Sequence, residues 1–128
     1  MIFLLALLSC SYLTDADRLV YEQTNPHAAL RKYEWFKDAA EQLSKKRADI
    51  AVYQSRMTGM EVVYAGQPRQ SWLRSDAEAY NTWGSEVAGA IASYNALAAE
   101  YNSNMSKINW PYADTLPREF TPYLENSK

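Results

Sequence analysis

The sequence predicts an all-α protein: an antiparallel hairpin of two long, coiled-coil-like helices. A short helix precedes the hairpin, and an extended tail bearing prolines and aromatic residues follows it. Three observations carry that expectation. Apolar residues recur at spacings of three and four through two long stretches, the signature of a helix burying one stripe. The breakers between those stretches gather in one short segment around Gly66 and Pro68. Only 4 glycines and 5 prolines occur in 128 residues, too little turn material for a sandwich or barrel. With 48% apolar and 22% charged residues the composition is that of a single globular domain rather than a disordered chain.

The chain opens on an apolar run, Met1 to Leu8, closed by Ser9 and Cys10, the one cysteine present. Eight helical residues span about 12 Å, short of a bilayer core of about 30 Å, so the run suits the apolar region of a signal peptide rather than a transmembrane helix. Leu7-Leu8-Ser9-Cys10 resembles the lipobox of bacterial lipoproteins. That resemblance implies a diacylglycerol on the Cys10 sulfur, cleavage just before it and acylation of the new amino group. It implies palmitate-type chains and a membrane anchor. Ser11 after the cysteine implies sorting to the outer membrane, facing the periplasm. The leader departs from the pattern in two ways: its only positive group is the Met1 amine, and Leu8 stands where a smaller residue is commoner. Residues 1–9 are therefore read as a signal peptide and residues 10–24 as a lipidated tether with a short helix. Thr14-Asp15-Ala16-Asp17 supplies that helix with a capping pattern ahead of Leu19, Val20 and Tyr21.

Residues 25–110 form the expected hairpin. Asn25-Pro26 combines an N-cap with a first-turn proline, the strongest helix start in the chain. From there Phe36, Leu43, Ile50, Met57 and Tyr64 recur every seven residues, flanked by Tyr33, Ala40, Tyr53 and Met60. In the second stretch Tyr80, Val87, Tyr94, Tyr101 and Ile108 form one column, with Trp83, Ala90, Leu97 and Asn104 three residues on. Ser75-Asp76-Ala77-Glu78 is the expected capping box of this helix, and Pro111 its stop. Helices of about 58 and 50 Å joined by so short a connection are antiparallel neighbours. The first is rich in Lys and Arg and the second in Asp and Glu, which favours pairing them, although exposed ion pairs contribute only about 0–1 kcal/mol each.

Ser85, Gly89, Ala92, Ala96, Ala99 and Ser103 make a small-residue stripe opposite the aromatic columns. Such a stripe suits self-association, docking of the N-terminal helix, or a solvated alanine-rich face chosen for helix propensity; Gly84 and Gly89, each costing about 1 kcal/mol against alanine, point to a close approach there. The tyrosines of the pairs Tyr80-Asn81, Tyr94-Asn95 and Tyr101-Asn102 are expected to bury their rings and turn their hydroxyls to water. Trp72, in the connection, and Trp110, just past the second helix, are expected to cap the ends of the core or to mark a contact surface. With Tyr112, Ser85, Gly89, Ala92 and Ala96 they form the candidate interaction surface. Residues 111–128, with Pro111, Pro117 and Pro122 interleaved with Tyr112, Phe120 and Tyr123, read as an extended strap lying back over the hairpin.

The segment from Tyr94-Asn95-Ala96-Leu97 through Tyr101-Asn102 to Trp110-Pro111 resembles the terminal helix of LemA-type envelope proteins. The likeness covers under a fifth of the chain and implies an envelope helical protein, with no site residue to carry over.

The inventory argues against catalysis and against a cofactor. One cysteine leaves no internal disulfide or cysteine-cluster metal site, and His27, the one histidine, sits in the first turn of a helix as a surface residue. No nucleophile, base and orienting group can be assembled, and no glycine-rich loop follows a strand. Asp15 with Asp17, and Glu34 with Asp38, read as caps and solvated faces. Thirteen basic against fifteen acidic residues leave a net charge of −2, so no basic field exists for nucleic acid, and Lys45-Lys46-Arg47 reads as a solvated face. The expectation is a non-enzymatic envelope lipoprotein that binds a protein partner or itself, of the kind that serves as an assembly factor or as an exclusion protein of phages and mobile elements. It needs no cofactor, metal, nucleic acid or small-molecule substrate. The alternative is a non-lipidated helical structural or interaction protein forming oligomers in the cytoplasm or a virion; a membrane-active lysis protein is a third class.

Overall fold

A computed structural model describes residues 25–107 and 115–123. The chain divides into two compact units, residues 1–37 and 38–128. Among the described residues there are two long helices and no strand: α1, Pro26–Val63, and α2, Arg74–Ser106, joined through a single 3-10 turn at Arg69–Ser71. At 38 and 33 residues they run to about 57 and 50 Å.

The start of α1 is the one the sequence specifies. Asn25 Oδ1 accepts the backbone N–H of His27 at 2.9 Å and of Ala28 at 3.4 Å, satisfying donors that the first turn leaves without a helical partner. In the first unit Ala28 and Phe36 are buried, and Trp35 packs edge-on to Phe36 with centroids 5.0 Å apart.

In the second unit the two helices pack antiparallel. Contacts pair Lys46 with Ser93, Met57 with Gly84, Glu61 with Tyr80 and Tyr64 with Asp76, one number climbing as the other falls. The core is narrow. Leu43 and Ile50 of α1, and Tyr94 and Tyr101 of α2, are fully buried, and Ala39 and Ala98 are buried with them. The heptad columns thus face inward as the sequence requires. Met57, Tyr64, Tyr80, Val87 and Leu97 continue them as half-buried positions, because a two-helix layer cannot cover its seam on every side.

Two expectations are corrected. First, Ser75 does not cap α2. The helix starts at Arg74, two residues before the start that a Ser75 cap would set, with Leu73 in the cap position and no side-chain cap bond. Glu78 instead pairs with Arg74 Nε at 2.8 Å, one turn back on the exposed face. Second, the seam tyrosine hydroxyls turn to protein partners rather than to water, in the arrangements that follow. The small-residue stripe meets no neighbour within the described chain: a Cβ on Gly89 would meet nothing within 4 Å, and one on Gly84 would make an ordinary 3.6 Å contact with Met57 Cε. Ser85, Gly89, Ala92, Ala96, Ala99 and Ser103 are all exposed. The short N-terminal helix, Cys10, Ile108, Trp110, Pro111 and Tyr112 lie outside the described residues.

Candidate functional site

Two aromatic arrangements lie at different places on α2, one at the hairpin turn and one along its C-terminal half. At the turn, Gly66 takes a positive φ of 74°, a conformation that only glycine adopts freely, and Pro68 then directs the chain into the 3-10 turn. Trp72 comes back over the end of α1. It stacks on Tyr64 with centroids 4.5 Å apart and planes at 15°, and meets Tyr80 edge-on at 5.3 Å. Its indole N–H donates to the Gln67 carbonyl at 3.4 Å. The Arg69 guanidinium lies 4.9 Å from the Trp72 centroid and 4.1 Å from that of Tyr80, within cation–π range, and donates to Asn81 Oδ1.

The hydroxyls tie this cluster to both helices. Tyr64 donates to Asp76 Oδ2 at 2.5 Å and accepts the Leu73 N–H at 3.3 Å, so a side chain from the end of α1 does for α2 part of what a cap would do. Tyr80 donates to Glu61. These hydrogen bonds to carboxylates are the leading cause that raises the Tyr64 and Tyr80 hydroxyls above the ordinary tyrosine value, because losing the proton would set two anions side by side. Around the cluster Val62, Val63 and Leu73 stand out to solvent at 71, 70 and 67% exposure, an apolar surface for which single-sequence periodicity gives no signal.

Along the C-terminal half of α2, Asn95 and Asn102 hold the strap. Asn95 Nδ2 donates to the Tyr123 carbonyl at 2.9 Å while its Oδ1 accepts the Tyr123 N–H at 2.8 Å. Seven residues on, Asn102 makes the same pair of bonds with Phe120, both at 2.9 Å. Each carboxamide therefore takes up both main-chain polar groups of one strap residue, as a neighbouring strand would. The preceding tyrosines complete the seat. Tyr94 donates to the Thr121 carbonyl at 3.2 Å and Tyr101 to that of Pro117. Tyr123 meets Tyr94 edge-on at 5.1 Å, and Phe120 meets Tyr101 at 4.9 Å. Arg47 of α1 lies 5.9 and 5.8 Å from the Tyr94 and Tyr123 centroids. Burial raises the Tyr101 hydroxyl, since a phenolate there would be poorly hydrated.

Of the residues singled out in the sequence, Trp72 is part of the turn cluster, and Ser85, Gly89, Ala92 and Ala96 sit apart from it on the open face of α2. The basic run makes neutral contacts: Lys46 donates to Ser93 Oγ at 2.8 Å, and Arg47 covers the two rings. Sequence reasoning noticed the Tyr-Asn pairs without assigning the asparagines a task. The available signal was their seven-residue repeat together with two tail aromatics, Phe120 and Tyr123, three residues apart. Among the described residues no helix is long and apolar enough to cross a membrane, and no group of three or more His, Cys, Asp or Glu side chains is placed to hold a metal ion. Compared with family models, curated proteins and solved structures, the chain matches none.

Proposed function

We propose that the protein is a lipid-anchored component of a bacterial envelope that acts by binding rather than by catalysis, facing the periplasm from the outer membrane. The observation that carries this reading is the position of the single cysteine: Cys10 closes the apolar leader at the residue where a lipobox places its lipid acceptor. Two or three acyl chains there hold a protein durably, where one would hold it marginally. The hairpin offers the binding end, with half-buried Trp72 surrounded by exposed Val62, Val63 and Leu73. Aromatic and aliphatic side chains held by a rigid turn form the kind of apolar patch that a protein partner covers.

The test is incorporation of radiolabelled palmitate by the full chain and by Cys10→Ser, with the mature mass measured alongside. The wild type takes label and loses residues 1–9, and Cys10→Ser takes none. Label retained by the variant, or a mature wild type that still begins at Met1, overturns the proposal.

A further inference from the structure

The strap covers one flank of the seam and leaves the other open. Asn95 and Asn102 hold it on one side of α2. Ser93 lies two residues from Asn95, about 200° around the helix, so the hydrogen bond from Lys46 to Ser93 Oγ marks the opposite flank. Lys46, Tyr53 and Met60 recur along that flank every seven residues on α1, and Trp83, Ala90 and Leu97 do so on α2. All six are half-buried, and among residues 51–93 no side chain is buried. An apolar strip of this kind on a two-helix layer is a core that lacks its second layer. Between Ala79 and Glu100 it runs about 32 Å, and two helices side by side are about 20 Å across. That is on the order of 600 Å² before side chains interdigitate, close to the roughly 800 Å² that each side of a stable complex buries.

The charges bordering the strip identify its cover. Lys45 and Arg56 border it on α1, and Glu86 and Glu100 on α2, which carries no cation from Ser75 to Ser106. Arg56 and Glu86 are exposed and stand at nearly one level, because nearby Met57 and Gly84 touch. Among the described residues neither has an ion-pair partner, and Arg56 rests over the ring of Tyr53 on its own helix. A two-fold axis running along the hairpin would lay α1 of each copy on α2 of the other at the same level. Arg56 would then face the second copy's Glu86, twice per dimer. Asp49, the acid between Lys45 and Arg56, would come level with the uncharged residues near Ala92. An axis across the hairpin would instead lay α2 on α2 and bring its acids together.

We infer that the flank opposite the strap is covered by the same flank of a second copy, giving a dimeric four-helix bundle in which every neighbouring pair of helices is antiparallel. Both hairpin turns lie at one end of it. The apolar strip drives the association, and the exposed charges choose the arrangement. This goes beyond the lipid-anchor reading and does not rest on it.

Charge reversal tests it in the full-length chain. The wild type is expected to sediment as a dimer. Arg56→Glu and Glu86→Arg each set like charges opposite one another at both contacts, and each is expected to weaken the dimer about tenfold. An equimolar mixture of the two variants restores both pairs and is expected to dimerise as the wild type does. Helical circular dichroism of each variant checks the hairpin. Should either variant lose helicity, the conservative Arg56→Lys takes their place, and carbodiimide coupling is expected to give a dimer joined between positions 56 and 86. A monomeric wild type, reversals that leave the dimer unchanged, or a mixture as weak as either variant alone overturns the inference. So does a coupled dimer joined elsewhere, or none.

Discussion

Replacing Asn102 with alanine is expected to release the strap as one unit. The substitution removes two hydrogen bonds of 2.9 Å to Phe120 and leaves the α2 backbone undisturbed. At about 1 kcal/mol for each bond, about 2 kcal/mol is lost, or roughly 30-fold in the equilibrium between docked and free strap. The consequence depends on how much holds the rest. Four asparagine bonds, two tyrosine bonds and two ring pairs supply about 8 kcal/mol. Ordering the seven residues 117–123 costs about 7–14 kcal/mol, offset further by apolar burial of Phe120 and Tyr123. A balance so close to zero does not survive the loss of one clamp.

Amide hydrogen exchange reads this directly, because the Phe120 and Tyr123 N–H groups are both held by asparagine side chains. In Asn102→Ala both amides are expected to lose whatever protection they have and exchange as an unstructured segment does, with the α1 and α2 amides near Ile50 unchanged. If Phe120 opens while Tyr123 keeps its protection, the two clamps act independently and the marginal balance is wrong. If neither changes, ring packing alone seats the strap and the asparagines are incidental.

The ionisation of Tyr64, Tyr80 and Tyr101 sets a limit at high pH. All three hydroxyls are raised in the folded chain, so their contribution is fully present below the unfolded tyrosine value of about 10 and is lost as pH climbs through the higher folded values. Urea midpoints should stay level from neutrality towards pH 10 and fall above it, and Tyr101→Phe should lessen the fall; an unchanged midpoint at pH 11 would contradict this. Gly89→Ala should stabilise the hairpin by about 1 kcal/mol, seen as a rise of roughly 4 °C in Tm, because the added methyl meets no neighbour. Asn25→Ala should cost about 1 kcal/mol at the start of α1, read as lost helical ellipticity on heating, since two amides lose their acceptor.

The parts legible in the sequence are those fixed by local rules. Seven-residue spacing placed Phe36, Leu43, Ile50, Tyr94 and Tyr101 inside, and all five are buried. Asn25-Pro26 began the first helix because a cap and a proline act within one turn. Ser75 misled because its rule is equally local while its surroundings are not. The Tyr64 hydroxyl, arriving from the first residue past α1, bonds Leu73 N–H and Asp76 at the start of α2, ahead of the serine. Ala98 is buried although it lies outside the heptad columns, one residue after Leu97 and between the turns that carry Tyr94 and Tyr101. The task of Asn95 and Asn102 could be seen only once chain reversal laid a tail 18 to 28 residues distant in sequence along their face.

The same geometry explains the tyrosines along the seam and at the turn. A two-helix layer exposes the flanks of its seam, and leucine there would be left half in water. Tyrosine buries its ring against the partner helix and still places a donor at the rim, where a carboxylate or a main-chain carbonyl waits. At the turn those acceptors are Asp76 and Glu61, and along the C-terminal half they are the strap carbonyls of Pro117 and Thr121. The strap therefore acts as a partial third layer, built from backbone rather than from another helix. Its removal would strip cover from Tyr94 and Tyr101 together, because both hydroxyls and both rings meet it.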